Sequence, residues 1–254
     1  MILDTFGLRE RRYVHLIGGG GKTSLMFALA HALAAEGRSV LTTTSTRILY
    51  PEPRESEGVV LGTDALWLAG RLRHEFTVHR HVTAVAPDPE GARKVGGLPV
   101  AVLDALVDAR VADHVLVEAD GSAGRPLKAH REHEPVISSR ADLVIAVIGV
   151  VCLGAPMDDV HVHRATLLCD RLGRPAGALV TAADVAGIVF HRDGYLARVA
   201  RGAEVIVFVN QAATSQSLAG ARGLAEALRR RDSERRLARV VIGDVRARFF
   251  EHAG

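Results

Sequence analysis

The chain alternates short apolar runs with longer segments in which apolar residues recur every three or four positions. Apolar runs typical of buried strands occupy residues 13–17, 39–43, 114–118, 143–149, 204–210 and 239–243. Helical spacing covers residues 22–36, 63–74, 99–110 and 218–230. Strands that alternate with helices and are rich in Val and Ile predict an α/β fold, in which a mostly parallel sheet carries helices on both faces.

Weaker patterns divide the rest of the chain. Residues 59–62 and 77–86 are interpreted as strands, 51–58 as a surface loop and 87–97 as a turn-rich segment. Residues 177–181 fit either a short strand or a turn that leads into a helix over 182–189. We expect one domain over residues 1–254, with 51–98 as a candidate small insertion.

The composition favours a soluble cytoplasmic protein. Hydrophobic residues make up 48% of the 254 residues and charged residues 24%, but aromatic residues only 4%, so the core is expected to be aliphatic. No apolar run reaches the roughly 18–20 residues needed to cross a bilayer, and residues 1–12 lack an apolar signal segment. Cys152 and Cys169 do not form a CxxC pair, which argues against a disulfide framework or a zinc ribbon.

The formal net charge is +3, and many arginines lie near the C-terminal end, at positions 229–231, 235, 236 and 239. Such a cluster can bind nucleic acid. No aromatic residues are interleaved with these arginines, so a solvated helix end is the favoured interpretation and a nucleic-acid partner is unlikely.

The strongest chemical signal is the turn Gly18-Gly19-Gly20-Gly21-Lys22-Thr23-Ser24, which follows the first strand. Glycine allows the backbone to approach a phosphate closely, and the N-terminus of the following helix favours negative charge. Lys22 supplies a cation for the outer phosphates, while the hydroxyl of Thr23 is suited to Mg²⁺. These residues predict binding of a nucleoside triphosphate.

This turn departs from the standard P-loop, G-x-x-x-x-G-K-[ST], because Leu16 stands where the first glycine is required. It resembles the shortened loop of the Mur ligases, or the deviant loop of the ParA/ArsA type with Ile17 in place of the extra lysine. We therefore expect a Rossmann-like three-layer domain of the P-loop NTPase kind.

Two other strand ends carry polar residues. Residues 42–46 are five consecutive hydroxyl side chains, of which Thr43 and Thr44 are candidates for contacting phosphate, and Arg47 follows as a candidate for stabilising charge on a transferring phosphoryl group. Glu118 and Asp120 end the third core strand in the arrangement of a Walker B motif. We expect these two carboxylates to act in catalysis and, with Thr23, in Mg²⁺ binding.

Further candidates lie beyond these strand ends. Arg125 and Lys128, in the loop after Asp120, are suited to an anionic substrate or a γ-phosphate. Asn210 ends another strand and is a candidate for touching the base. The sequence Asn210-Gln211-Ala212-Ala213 lacks the lysine and aspartate of the guanine-reading motif Asn-Lys-x-Asp, so ATP and GTP both remain candidates.

Several pairs of histidines have spacings found in metal sites: His79 with His81, His130 with His133 and His161 with His163. No third ligand has a convincing spacing, so solvated or hydrogen-bonded histidines are the favoured interpretation. The segment from His161 to Arg164, which follows the acidic residues Asp158 and Asp159, is also a candidate for the substrate pocket.

Together, several blocks resemble the YqeC family, and the likeness extends from about Phe6 to about Gly243. The blocks are residues 18–26, 42–44, 117–122, 125–129, 133–137 and 163–164. Members of this family are described as accessory proteins of selenium-dependent molybdenum hydroxylases. The resemblance implies a nucleotide-dependent role in maturing a selenium- or molybdenum-containing cofactor, with a molybdenum hydroxylase as a candidate partner. A non-hydrolytic protein that binds a phosphorylated, pterin-type cofactor is the alternative.

Overall fold

The computed structural model describes residues 2–88 and 93–253. Its strands are β1 Tyr13–Gly18, β2 Val40–Thr44, β3 Ile48–Leu49, β4 Gly58–Leu61, β5 His81–Val85, β6 Lys94–Val95, β7 His114–Glu118, β8 Leu127–Lys128, β9 Leu143–Gly149, β10 Val162–His163, β11 Glu204–Asn210, β12 Arg239–Asp244 and β13 Phe249–His252. Its helices are α1 Ile2–Thr5, α2 Lys22–Ala35, α3 Ala65–Glu75, α4 Val100–Asp108, α5 Ala165–Leu172, α6 Ala182–Val189 and α7 Ser215–Arg231, with a 3₁₀ turn at Val150–Cys152.

Nine strands form one sheet in the order β13-β12-β11-β9-β1-β7-β2-β5-β4. Every pairing in it is parallel except that of β12 with β13. The strand β1 lies near the centre, between β7 and β9, and is buried at every position. Burial on both faces explains why the core strands are continuous apolar runs instead of alternating ones.

Helices cover both faces of this sheet. Helices α1 and α2 pack on one face against Leu16, Leu116 and Ile145. The other face has α3 and α4 over one half, and α5, α6 and α7 over the other. The predicted α/β architecture, with a mostly parallel sheet and helices on both faces, is therefore confirmed.

Segment 51–98 adds β4 and β5 to one end of the main sheet. The predicted strand 77–86 is shorter than expected and begins at His81, because the N–H groups of residues 77–79 donate to the last turn of α3. Of the turn-rich segment 87–97, residues 89–92 lie outside the described part of the chain, and Lys94–Val95 pairs with Ile48–Leu49.

The ambiguous segment 177–181 is not a strand: Gly177 lies in a turn, and Leu179 forms an isolated antiparallel bridge with Pro156 before the start of helix α6. Thr181 caps helix α6, and its hydroxyl and backbone exchange hydrogen bonds with Asp184 in a capping box. The pattern did not predict α1, α5, β13 or the short pairs β3–β6 and β8–β10. Within the described residues, no helix is both long and apolar enough to cross a membrane.

Candidate functional site

The carboxyl ends of the central strands bring the predicted polar residues to one edge of the sheet. Glu118, at the end of β7, pairs in register with Leu16 of β1 on one side and Thr44 of β2 on the other. The glycine turn begins at the end of β1, two residues beyond Leu16. These residues are neighbours because of the order of the strands in the sheet, and that order cannot be read from the sequence alone.

The glycine turn is packed so closely that side chains would not fit. Gly20 has a φ of +79°, and a Cβ there would lie 2.3 Å from the backbone N of Gly149. Gly21 has a φ of +118°, and a Cβ there would lie 2.5 Å from Nδ2 of Asn210. Both positions therefore require glycine for backbone conformation and for space.

The N-terminus of α2 presents backbone donors beside this turn. The first intrahelical bond runs from the N–H of Leu25 to the oxygen of Gly21, and no side chain of the described residues caps the helix. The first N–H groups of a helix lack intrahelical acceptors and carry the positive end of its dipole. The 14-residue helix thus has an uncapped end suited to an anion.

The earlier N–H groups of the turn are already paired within the protein. Gly18 donates to both oxygens of Asp120, at 3.0 and 2.9 Å. Gly19 donates to the carbonyl of Val147 and Gly20 to that of Arg125, each at 2.9 Å. An anion would therefore meet residues 21–24 and not the first part of the turn.

Lys22 is buried among acceptors at the centre of the site. Its Nζ lies 2.8 Å from the oxygen of Gly18, 3.2 Å from Oδ1 of Asp120 and 3.5 Å from Oε1 of Glu118. Burial alone would lower the pKa of Lys22, but the carboxylates of Asp120 and Glu118 outweigh it and raise this pKa. Lys22 is therefore a cation held next to the uncapped helix end.

Asp120 has no solvent exposure and is surrounded by donors. In addition to Gly18 and Lys22, His130 Nε2 lies 2.5 Å and Lys128 Nζ 3.2 Å from its Oδ2. Burial would raise the pKa of Asp120, but Lys22, the hydrogen bond with His130, and Lys128 hold it below the usual range. Both oxygens are engaged, so Mg²⁺ could reach this carboxylate only by displacing a donor.

Thr23 and Glu118 form the pair best placed for a magnesium ion. The hydroxyl of Thr23 donates to Oε2 of Glu118 at 2.6 Å. Hydroxyl and carboxylate oxygens suit Mg²⁺, which usually takes few protein ligands and fills its remaining positions with water and phosphate. No group of three or more His, Cys, Asp or Glu side chains that could hold a metal occurs in residues 2–88 and 93–253. The site therefore fits a phosphate-bound Mg²⁺ better than a permanently held metal.

Lys128 belongs to a network of charged side chains that adjoins Asp120. Its Nζ donates to the carbonyl of Gly121 at 2.6 Å and lies 3.3 Å from Oε2 of Glu134. Both carboxylate oxygens of Glu134 also accept hydrogen bonds from the guanidinium of Arg164. Burial lowers the pKa of Lys128, although Asp120 and Glu134 oppose this effect. The predicted role of Lys128 in contacting an anion would require it to leave these partners.

The hydroxyl run 42–46, whose first three residues form the end of β2, divides between the two faces of the sheet. Thr44 Oγ1 donates to the carbonyls of Glu118 and Thr46, at 2.9 and 3.1 Å. Thr43 pairs in register with Val117, and alternation places its side chain on the face that carries α4. Its Oγ1 is buried and has no hydrogen-bond partner among the described residues. Neither hydroxyl is therefore directed at the glycine turn.

Arg47, Arg125 and Ser24, which were also predicted to belong to the site, lie farther from its centre than Lys22. Arg47 is half-exposed and forms an ion pair with Asp88 at 2.7 Å. Arg125 donates through Nε to the carbonyl of Asp159 at 2.7 Å, so it contacts the turn through its backbone. Ser24 is exposed in the first turn of α2. The structure thus gathers Lys22, Thr23, Glu118 and Asp120, and leaves the two arginines at the rim.

Asn210 holds the glycine turn in place. Its Nδ2 donates to the carbonyl of Gly20 at 2.7 Å, and its Oδ1 accepts the N–H of Val245 at 3.1 Å. Asn210 therefore joins the glycine turn to the loop after β12, and its contact with a base stays a prediction.

Sequence reasoning assigned no site role to His130, Glu134 or Tyr195, and it named Arg164 only as part of segment 161–164, the candidate for the substrate pocket. Tyr195 accepts the N–H of Lys128 at 3.3 Å and packs edge-on against His130. The sequence indicated His130 only as one of two histidines, with His133, whose spacing is found in metal sites.

Comparison with known proteins shows the family of this chain. The sequence model of a family described as "YqeC protein" matches residues 14–166. The chain belongs to the YqeC family. A relative named "Uncharacterized protein YqeC", from Escherichia coli (strain K12), is 32% identical over 246 residues, which are 96% of this chain and 92% of the relative. The family match takes in the glycine turn, Asp120, Lys128 and His130 but ends before Tyr195 and Asn210. Kinship with P-loop NTPases stays a prediction.

Proposed function

We propose that the chain binds the phosphates of a nucleoside triphosphate, ATP or GTP, at the N-terminus of α2. The observation that carries this proposal is a buried Lys22 beside an uncapped helix end, held against two carboxylates. A buried cation and free backbone donors at one place favour a polyphosphate. In the proposed complex, the Lys22 ammonium exchanges the Gly18 carbonyl for phosphate oxygens.

Thr23 and Glu118 would hold Mg²⁺ in this complex, together with phosphate and water oxygens. The ion would neutralise part of the phosphate charge. Asp120 would keep Lys22 and the N–H of Gly18 in position, since its oxygens already accept from both. With this set of residues, the proposed activity is NTP hydrolysis or transfer of a phosphoryl or nucleotidyl group.

A second candidate is a protein that binds a phosphorylated, pterin-type cofactor without hydrolysing it. The N–H groups of Gly18–Gly20 are paired internally and both oxygens of Asp120 are engaged, which leaves fewer groups to activate a nucleophile. A phosphate-release assay on the pure protein separates the two candidates. Steady turnover that is lost in Glu118→Gln supports the enzyme, and binding without turnover supports the cofactor carrier.

The proposal extends to a role in maturing the cofactor of a selenium- or molybdenum-containing hydroxylase. Its support is the likeness of the sequence blocks to the YqeC family. A thermal-shift screen with nucleotides and molybdopterin-type cofactors, with and without Mg²⁺, tests this role. Ligands that bind only the folded state raise the melting temperature in proportion to ln(1 + [L]/Kd).

Lys22→Ala tests the phosphate site itself. We expect it to abolish calorimetric binding of ATP, GTP and CTP while circular dichroism shows that the fold survives. The matched control is Lys94→Ala, because Lys94 is exposed on the short strand β6. Unchanged affinity for all three nucleotides in Lys22→Ala would overturn the proposal.

A further inference from the structure

A cavity lies at the amino ends of two strands, opposite the edge of the sheet that carries the glycine turn. It is about 490 Å³ in volume and is lined by residues from 190–201, the segment that leads into β11, and from 231–236, which leads into β12. The strands β11 and β12 are parallel neighbours, so both segments arrive at the same edge. The glycine turn follows its own strand and lies at the carboxyl ends. A molecule bound in this cavity would therefore leave the proposed phosphate site free.

The lining of this cavity is rich in arginine. Four guanidinium groups line it against two carboxylates, which leaves an excess of two positive charges. The arginines are Arg192, Arg201, Arg231 and Arg236, and the carboxylates are those of Asp232 and Glu234. The whole chain has a formal net charge of only +3, so positive charge is concentrated at this place.

Several of these charges are free to meet a ligand. Arg231 forms no ion pair and no side-chain hydrogen bond with the described residues. Arg192 is 88% exposed and lies 3.4 Å from the carboxylate of its neighbour Asp193. Asp232 uses its two oxygens to accept backbone N–H groups of the next turn, at 2.7 and 2.9 Å, and pairs with no guanidinium in the part of the chain that the structure describes.

Two contacts join the segments that form the cavity. Arg236 is half-buried and donates through Nη2 to the carbonyl of Val199 at 3.3 Å. Arg201 and Glu234 form an ion pair at 2.8 Å, with side-chain exposures of 77% and 63%. Exposed ion pairs contribute little to stability, so a carboxylate from another molecule can replace Glu234 at small cost.

The chemistry of the lining favours an acidic polypeptide as the occupant. Guanidinium groups bind carboxylates through two parallel hydrogen bonds. The half-buried side chains of Phe190 and Leu196 also line the cavity, and arginine and aromatic residues are enriched at protein interfaces. Asp232 and Glu234 would repel the closely spaced phosphates of a nucleic acid, and no aromatic residue is interleaved with the arginines of 229–239 to stack on bases.

We propose that this cavity is the docking site for an acidic segment of a partner protein, an inference that goes beyond the proposed function and does not depend on it. Carboxylates of the segment would pair with Arg192 and Arg231, while its apolar groups pack against Phe190 and Leu196. Because the cavity and the glycine turn lie at opposite edges of the sheet, partner and nucleotide can occupy the same molecule.

The test follows the binding of fluorescein-labelled hexaglutamate to the full-length protein by fluorescence polarisation, beside labelled hexaglutamine and a labelled DNA duplex. We expect hexaglutamate to bind and hexaglutamine not to bind. The affinity for hexaglutamate should fall as ionic strength rises, because salt screens exposed charges.

The decisive variant combines Arg192→Glu with Arg231→Glu, since both side chains are exposed. One exposed ion pair changes an affinity by up to about fivefold, and charge reversal adds repulsion, so this variant should bind hexaglutamate at least about tenfold more weakly. The matched control combines Arg38→Glu with Arg54→Glu, which makes the same change in net charge at exposed positions outside the cavity. Its affinity should stay within about twofold of that of the parent protein.

Each outcome decides for or against the docking site. Weakening confined to the Arg192 and Arg231 variant supports it. No binding of hexaglutamate, equal weakening in the two variants, or weakening in neither overturns it. Tighter binding of the DNA duplex than of hexaglutamate, lost in the same variant, assigns the cavity to nucleic acid and also overturns it. Thermal unfolding checks that both variants fold, and Arg192→Gln with Arg231→Gln repeats the test if charge reversal lowers the melting temperature.

Discussion

Removing the charge of Asp120 should unfold much of the site. This carboxylate accepts from Gly18 and His130 and lies 3.2 Å from both Lys22 and Lys128, with no solvent exposure. In Asp120→Asn, two buried ammonium groups lose their shared counter-charge, and the new amide group meets a donor. Breaking a buried ion pair by removing one partner costs about 3–5 kcal/mol.

The pH dependence of the variant gives an independent check. Burial already lowers the pKa of Lys128, and loss of Asp120 lowers it further. As pH rises through this lowered value toward 10.5, the folded state releases a proton that the unfolded state keeps. Stability of Asp120→Asn should therefore recover partly between neutral pH and about pH 10.

Urea unfolding followed by circular dichroism, without nucleotide, measures the loss. Asp108→Asn is the control, because Asp108 pairs with Arg140 at the surface, with side-chain exposures of 61% and 46%. An exposed pair contributes about 0–1 kcal/mol. A loss below about 1 kcal/mol in Asp120→Asn, equal to that of the control, would refute the structural role assigned to Asp120.

Two further predictions concern stability. Burial would raise the pKa of Glu134, but the hydrogen bonds from Arg164 outweigh it and lower the pKa from 4.5 to about 2. The resulting contribution to the free energy of unfolding, at most about 3 kcal/mol, is complete above about pH 5 and is lost as pH falls toward 2. When the melting temperature is measured against pH, it should therefore fall less steeply at acid pH in Glu134→Gln than in the parent protein. Identical acid dependence in the two proteins would contradict this assignment. Gly21→Ala should lower the free energy of unfolding in urea by about 2–4 kcal/mol, because the φ of Gly21 is +118° and Asn210 occupies the Cβ position. Gly37→Ala should lower it by only about 1 kcal/mol, because the φ of Gly37 is +83° but the space around its Cβ position is open. Equal losses in the two variants would count against the close approach of Asn210.

The sequence predicted the layers of the fold because local patterns encode them. Buried parallel strands are continuous apolar runs, and helices show their own period, so most core elements could be placed within a few residues. Strand order depends on contacts between distant segments, which a single sequence does not display. For this reason β1 could be recognised as a strand, but its place between β7 and β9 could not.

The same distinction applies to the site. Gly18–Thr23, Glu118 and Asp120 could be found because they directly follow apolar strands. The different roles of the two carboxylates could not be predicted, because the donors around Asp120 include Lys128 of β8 and His130, which follows it.

The central claim is that phosphates bind at the N-terminus of α2, and amide chemical shifts test it most directly. The ¹⁵N-labelled protein would be titrated with a Mg²⁺-triphosphate and the backbone amides followed by NMR. The account predicts that the largest saturable shifts fall on residues 21–24, the donors that the helix leaves unpaired. Shifts concentrated elsewhere, or none at millimolar nucleotide, would contradict it.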